Sequence, residues 1–241
     1  MEFDSDADQQ GHSAPSEFTR AVNKSVADGL PIADQQDFED ARRGFIATGE
    51  SVVVSNEQGG KVWDLPAYDF IEGGAPASVN PSLWRQASLN NINGLFKVTD
   101  RVYQVRGYDL SNMTIIEGDT GWIIVDPLTS RGTAAAALAL AKEHLGVKPI
   151  VAVIFTHSHI DHFGGVLGVI TEEQYQQGTV RIVAPEGFLD EATSENIIAG
   201  IAMGRRAIYM YGRDLARSKR GHVGSGLGKG PAFGTFGIIE P

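Results

Sequence analysis

The chain of 241 residues contains no cysteine. Disulfide bonds and thiolate metal ligands are therefore excluded, and any bound metal must be held by imidazole and carboxylate groups. The sequence also lacks an apolar run of the length that a transmembrane helix needs, and its polar, acidic N-terminus lacks the basic and apolar regions of a secretory signal. We therefore expect no membrane span and a cytoplasmic location, with secretion or a periplasmic location as the alternative if the N-terminus is processed or engineered.

Positive charge is scarce, since 20 Lys and Arg stand against 30 Asp and Glu and give a formal net charge of -10 at pH 7. This excess of negative charge argues against general binding to nucleic acid or to anionic membranes. An anionic substrate would then need local positive charge, which bound divalent metal could supply. The hydrophobic fraction of 42% and the charged fraction of 21% are ordinary for a globular protein with a substantial core.

The first 94 residues divide into two predicted units. Residues 1–33 are expected to form a disordered or extended N-terminal tail. The segment Asp34–Thr48 has the apolar spacing of a helix. The β-rich runs Ser51–Ser55 and Lys61–Leu65 flank a turn with two glycines and predict a hairpin. Because the following stretch is rich in Pro, Gly and Asn, we interpret residues 34–94 as a helix, a hairpin and a loop that wraps a core.

Residues 95–241 are predicted to be the first part of an α/β catalytic domain. The first strand candidates are Phe96–Val98, Val102–Arg106, Met113–Glu117 and Trp122–Asp126. A helix predicted over Arg131–Leu145 then leads to the apolar run Pro149–Thr156, which is typical of a strand buried on both faces. This strand–helix–strand unit implies a parallel pair of strands. A strand at Val180–Pro185 and a long helix over Leu189–Tyr211 follow, and residues 236–241 resemble the start of another strand.

Four residues of metal-binding type follow the buried strand, in the order His157, His159, Asp161 and His162. Open α/β sheets place their sites at the carboxyl ends of strands. In an extended segment the first two imidazoles project to the same side, and the turn that follows lets the other two groups reach a second point. Four donors exceed what one tetrahedral metal with an open position needs from so short a segment, which favours two metals. Zinc suits imidazole and carboxylate ligands, while iron and manganese stay open.

Such a two-metal site predicts the chemistry of ester hydrolysis. Two metal ions about 4 Å apart can share a bridging hydroxide and stabilise the leaving oxygen of an ester. Because the pKa of a bound water falls to about 7, a nucleophile exists at neutral pH. The metals would also attract an anionic ester despite the negative charge of the chain. The pattern therefore indicates a metal-dependent hydrolase.

The segment from Thr156 to Gly165 resembles the metal-binding signature of the metallo-β-lactamase superfamily. The resemblance implies an αββα sandwich with two zinc ions. It implies His157 and His159 as ligands of the first metal, and Asp161, also the catalytic residue, with His162 as ligands of the second. Two further residues are expected near the site in a structural or orienting role, namely Asp126 and Thr156. An ordinary aspartate at a strand end is the alternative for Asp126.

Four other blocks resemble the linear alkyl sulfatases, namely Asn80–Gln86, Gln104–Asn112, Glu117–Trp122 and Ser194–Asn196. This resemblance implies hydrolysis of alkyl sulfate esters such as dodecyl sulfate to an alcohol and sulfate. It leaves open which bond breaks and which chain length is preferred. The alternatives are a hydrolase of the same fold that acts on another ester, lactone or thioester, and a non-catalytic fragment.

Members of that sulfatase family are much longer and form homodimers, so the chain resembles their N-terminal portion only. The resemblance therefore implies an incomplete sandwich, of which this chain is the first half, with the remaining metal ligands beyond residue 241. Two residues within the chain are candidates to substitute for them. His222 has a solvated loop histidine as its alternative interpretation, and Glu195 has a helix-surface or ligand-orienting role as its alternative.

Overall fold

The computed structural model describes residues 11–230, 232 and 234–241. Its strands are β1 Phe45–Ala47, β2 Val53–Ser55, β3 Lys61–Asp64, β4 Gly94–Thr99, β5 Val102–Arg106, β6 Met113–Glu117, β7 Trp122–Val125, β8 Ile150–Ile154 and β9 Arg181–Val183. Its helices are α1 Glu17–Gly29, α2 Gln36–Arg42, α3 Pro81–Leu89, α4 Arg131–Leu145, α5 Glu172–Gln176, α6 Phe188–Thr193 and α7 Gly200–Tyr211. Short 3-10 turns lie at Pro66–Tyr68, Ile160–His162 and Val166–Gly168, and a π turn spans Ser194–Ile198.

One seven-stranded sheet forms the centre of the described structure, in the order β1-β4-β5-β6-β7-β8-β9. Neighbours from β1 to β7 pair antiparallel, whereas β7–β8 and β8–β9 pair parallel. The predicted parallel pair and the predicted hairpin of β2 with β3 are confirmed. The α/β class is also confirmed, and the described residues form this single large sheet and one two-stranded sheet.

Helix α4 connects the two parallel strands and covers the sheet. Ser130 caps it, because its side chain accepts a hydrogen bond from the Thr133 amide at 3.2 Å. One face of the helix is buried against strands that alternate buried and partly buried residues, and its apolar members are Ala134, Ala137, Leu138, Leu140 and Ala141. The connection therefore fixes the carboxyl ends of β7 and β8 side by side.

A cluster of three aromatic rings packs under the segment that follows β8. Phe155 stacks on Phe188 with ring centroids 5.3 Å apart, and Phe163 meets Phe188 edge-on at 5.2 Å. Phe155 and Phe163 are almost fully buried. Since these two residues flank the predicted metal motif, the apolar cluster anchors both ends of the motif.

Several sequence-based predictions of the N-terminal region are wrong. The expected tail contains α1, whose first turn is capped by the Ser16 hydroxyl at 3.2 Å from the Thr19 amide nitrogen. Residues 1–10 of that tail lie outside the described residues. The predicted helix Asp34–Thr48 ends at Arg42, because Gly44 has a φ of +73° that interrupts the helix before strand β1.

Two predictions of irregular and regular structure are also corrected. The predicted loop up to residue 94 contains α3, which begins at Pro81 and is capped by the side chain of Asn80. The segment 236–241 forms no strand and instead runs along the body of the domain, where the Gly237 amide donates to the carbonyl of Gly164 at 2.8 Å. Among the described residues no helix is both long and apolar enough to cross a membrane.

Candidate metal centre

The three motif histidines lie together immediately after β8. The ring centroid of His157 lies 4.7 Å from that of His159 and 4.0 Å from that of His162. The chain reaches this arrangement through an extended segment followed by the 3-10 turn Ile160–His162. The structure thus brings the imidazoles to one place at the carboxyl end of a central strand, where the sequence placed them.

Asp126 holds this segment from the neighbouring parallel strand. Its Oδ1 accepts a hydrogen bond from the Thr156 amide at 2.8 Å, and its Oδ2 accepts one from the Thr156 hydroxyl at 2.7 Å. The same Oδ2 lies 2.8 Å from Nδ1 of His162. Asp126 itself has a φ of +55°, in the left-handed region that non-glycine residues rarely adopt. One buried carboxylate therefore connects the strand end, the first residue of the motif and the last histidine.

The glycine pair after the motif allows the turn to pack closely on the loop after β7. A Cβ atom on Gly165 would lie 2.1 Å from the carbonyl oxygen of Pro127. The Gly165 amide donates to the carbonyl of Leu128 at 2.8 Å. Because no side chain fits at this position, the glycine sets the distance between the motif and the loop that carries Asp126.

Charge in the site is concentrated on His162, which lies between two carboxylates. Its Nε2 lies 3.2 Å from Oδ2 of Asp161, and its Nδ1 faces Asp126. Burial lowers the pKa of His162, but the hydrogen bonds to the two carboxylates outweigh burial and raise the pKa to about 9. Burial would raise the pKa of Asp161, but the hydrogen bond and positive charge of His162 lower it. The pKa of His157 is lowered by burial and by repulsion from the other two imidazoles.

The motif offers imidazole and carboxylate groups, which are the donor types that zinc prefers. Across the residues that the structure describes, no group of three His, Cys, Asp or Glu could by itself hold a metal ion. Metal binding at Nε2 of His162 would also require this nitrogen to lose its proton.

The two further ligand candidates lie in different places. Oε1 of Glu195 is 3.2 Å from Nε2 of His159, so this residue reaches the motif. His222 belongs to another cluster, where its Nδ1 lies 3.1 Å from the hydroxyl of Tyr68. The interpretation of His222 as a solvated loop histidine is wrong, because the side chain is buried against Tyr68 and near Lys229.

Two residues that support the site had no assigned role in the sequence. The buried carboxylate of Asp109 accepts hydrogen bonds from the amides of Leu110, Thr129 and Ala232 and from two threonine hydroxyls. Ser111 donates its hydroxyl hydrogen to the backbone carbonyl of Asp161. Both lie in the block Gln104–Asn112, which resembles the alkyl sulfatases, and that resemblance was the signal available in the sequence.

Lys229 is a third residue that the sequence did not single out. Its side chain is 4% exposed, and its Nζ donates to the carbonyl of Ala87 at 2.7 Å and lies 4.9 Å from the ring centre of Tyr68. In the described part of the chain, no carboxylate lies within ion-pairing distance of this amine. Burial therefore lowers the pKa of Lys229 to about 7.

The sequence of the chain is similar to those of several known proteins. Residues 106–229 match the family described as the metallo-beta-lactamase superfamily. The chain is 51% identical over 225 residues to a linear primary-alkylsulfatase of Pseudomonas sp., covering 92% of this chain and 33% of the relative. It is 50% identical over 224 residues to an alkyl/aryl-sulfatase of Saccharomyces cerevisiae, covering 92% of this chain and 35% of the relative.

A solved structure shows the same arrangement of the chain. The structure of an inverting sec-alkylsulfatase from Pseudomonas sp. superimposes with a TM-score of 0.90 at 47% sequence identity. The match covers 97% of this chain and 37% of that chain. The sequence therefore spans about a third of the length of the curated relatives that it matches.

Proposed function

Because this chain belongs to the metallo-β-lactamase superfamily, we propose that it carries part of the metal centre of an enzyme that hydrolyses alkyl sulfate esters. The observation that carries the proposal is the set of three adjacent imidazoles after β8, with ring centroids 4.0 and 4.7 Å from that of His157. The names of relatives that are about half identical to the chain support alkyl sulfates as the substrate class. The products would be an alcohol and inorganic sulfate.

Zinc is the metal that we propose for this centre, at two ions per complete site. His157 and His159 would hold the first ion, and Asp161 and His162 the second. When bound, zinc would supply a water of lowered pKa and positive charge that attracts the sulfate ester. Asp161 would thus act as a ligand beside the reacting water, which is the catalytic role that we propose for it.

The residues around the ligands would keep them in place. Asp126 fixes the start of the motif through Thr156 and the end of the motif through His162. Ser111 holds the backbone carbonyl of Asp161. Carboxylate and hydroxyl groups that hydrogen-bond to metal ligands fix the orientation of those ligands. We therefore assign the buried carboxylate of Asp126 the role of holding the motif in place.

The remaining ligands are proposed to come from residues outside this sequence. Within the described residues no group of three such donors could hold a metal ion by itself, and the relatives are about three times as long as the aligned segment. A homodimer of the complete protein stays a prediction from the family resemblance. A functional test therefore needs this chain extended by the remaining segment of a relative.

The test compares this chain with a chimera in which the remaining segment of the linear primary-alkylsulfatase follows residue 241. Zinc content is measured by mass spectrometry, and sulfate release is measured with dodecyl sulfate beside lactone and thioester panels. We expect the chimera to hold about two zinc ions and to release sulfate, as a two-metal hydrolase would. His157→Ala should abolish both properties, whereas His144→Ala, an exposed histidine of α4, should leave both unchanged.

Two outcomes would contradict parts of this proposal. Turnover of lactones or thioesters without release of sulfate from dodecyl sulfate would show that the substrate class is wrong. Two zinc ions and full turnover in the chain of 241 residues alone would show that its own residues complete the site, so that no external ligands are needed.

A further inference from the structure

A π turn interrupts the long helical segment that lies beside the metal motif. Helix α6 ends at Thr193, the π turn spans Ser194–Ile198, and helix α7 begins at Gly200. A π turn inserts an extra residue into a helix and rotates the side chains that follow, and such turns are frequent at functional sites. The sequence predicts a continuous helix here, and the π turn is a departure from that prediction.

The consequence of the π turn is visible in the exposure of its residues. Ile197 and Ile198 are 66% and 79% exposed, which is costly for large apolar side chains. The side chain of Glu195 in the same turn is only 25% exposed. The turn thus directs a carboxylate toward the protein and leaves apolar side chains in solvent, which is the reverse of the arrangement that burial would favour.

The carboxylate of Glu195 lies within ion-pair distance of one ring nitrogen of a motif histidine. Oε1 of Glu195 lies 3.2 Å from Nε2 of His159. An imidazole that binds a metal with one nitrogen commonly donates its other N–H to a carboxylate, which fixes the tautomer and the ring orientation. With Nε2 turned to Glu195, Nδ1 is the nitrogen of His159 that is left for a metal ion.

The other carboxylate–imidazole pair of the site follows the same scheme with the nitrogens exchanged. His162 turns Nδ1 to Asp126 at 2.8 Å and Nε2 to the proposed ligand Asp161 at 3.2 Å. Each of the two histidines therefore has one nitrogen on a carboxylate that comes from a different element of the fold. The site has one such support from the end of β7 and one from the π turn.

We propose that Glu195 is a positioning residue of the metal centre, which accepts a hydrogen bond from Nε2 of His159 and leaves Nδ1 to bind the metal. The inference rests on the proposed metal centre and adds a residue to it. The competing role is direct ligation of the metal by the carboxylate. The two roles differ in what a glutamine can replace, since an amide oxygen accepts the same hydrogen bond but is a poor substitute for a carboxylate ligand.

The first test reads the tautomer of His159 in the metal-free chain by long-range 1H–15N spectroscopy at mildly alkaline pH. We expect the proton on Nε2 in the wild type and in Glu195→Gln, and a mixture of tautomers in Glu195→Ala. Glu191→Gln is the matched control, because Glu191 is an exposed glutamate one turn earlier in α6. An unchanged tautomer in Glu195→Ala, with the fold verified by circular dichroism, would overturn the inference.

The second test measures zinc affinity of the chimera by competition with a chromophoric chelator. Loss of a carboxylate that orients a metal-binding histidine costs about 10- to 100-fold in affinity, which is the loss expected for Glu195→Ala. Glu195→Gln should recover most of that loss, and Glu191→Gln should match the wild type. If Glu195→Gln loses as much affinity as His159→Ala, the carboxylate binds the ion directly and the positioning role is wrong.

The two tests separate this inference from the proposed function. Failure of the wild type to bind metal would overturn both the metal centre and the role of Glu195. If the tautomer and the zinc affinity respond as expected but no alkyl sulfate is hydrolysed, only the proposed substrate is wrong and the role of Glu195 stands.

Discussion

The burial of the Lys229 amine predicts how the free energy of unfolding of the chain depends on pH. Its Nζ has a backbone carbonyl as its hydrogen-bond partner, and burial lowers its pKa from the ordinary 10.5 to about 7. A pKa difference of one corresponds to about 1.4 kcal/mol, so the change from 10.5 to about 7 corresponds to a cost of order 5 kcal/mol at low pH. Lys229→Met removes the titrating group while keeping much of the side-chain volume.

The sign of the pH dependence follows from the proton count of the two states. Between about pH 7 and pH 10.5 the lysine is protonated in the unfolded chain and neutral in the folded chain. Because the unfolded state binds more protons there, the free energy of unfolding rises as the pH rises through this window. Below about pH 7 both states are protonated and the cost is fully present. Above the ordinary pKa the cost disappears.

The assay is urea denaturation of this chain at a series of pH values from about 7 to 10, which covers most of the titration window. The free energy of unfolding of the wild type minus that of Lys229→Met should rise with pH, with a slope of up to about 1.4 kcal/mol per pH unit. Burial also raises the pKa of Tyr68, so this tyrosine adds a pH dependence of its own at higher pH. The series therefore stops near pH 10, the ordinary pKa of a tyrosine. The lost hydrogen bond to Ala87 shifts the difference by a constant and leaves the slope unchanged.

An exposed lysine supplies the matched control for this measurement. Lys219→Met, at the surface, should give a curve parallel to that of the wild type. Parallel curves for the wild type and Lys229→Met would show that the amine titrates alike in the folded and unfolded states, which contradicts a pKa lowered by burial.

Two further predictions concern the support of the candidate site. Asp126→Ala should lower the zinc affinity of the chimera by about 10- to 100-fold, because the Thr156 and His162 contacts are lost, and an unchanged affinity in chelator competition would contradict this role. Gly165→Ala should destabilise the chain by about 1–3 kcal/mol or more in thermal denaturation, because the new Cβ meets a backbone carbonyl. Gly204→Ala is its control: it lies within α7 with open space around it and should be neutral or stabilising by up to about 1 kcal/mol, so equal effects of the two changes would be inconsistent with the packing described.

The elements with strong local signals were predicted to the residue. Strands β5 and β6 and helix α4 begin and end where the sequence placed them. Their apolar periodicity is clear, and the helix has Ser130 as its cap and Gly146 after its end. Helix α1 carries Phe18, Val22 and Val26 at helical spacing, and this short apolar stripe in an otherwise polar segment was missed. Strand β1 was missed because its residues continue the helical spacing of α2 across Gly44.

The candidate site shows the same division between local and distant information. The four motif donors lie within six residues after a buried strand, so the sequence alone brings them together. The contact of Glu195 with His159 depends on a π turn, and no residue spacing in the sequence predicts such a turn. The burial of Lys229 depends on Tyr68 and Ala87, which lie more than a hundred positions earlier in the chain. Long-range packing of this kind is invisible to a reading of local pattern.

Zinc content and sulfate release, measured in parallel in His157→Ala and His144→Ala chimeras, decide whether the histidine motif after β8 binds the metal. We expect His144→Ala to keep both properties and His157→Ala to lose zinc and dodecyl sulfate hydrolysis together. A His157→Ala protein that keeps its zinc and its sulfate release would show that the histidine motif after β8 is not the metal centre.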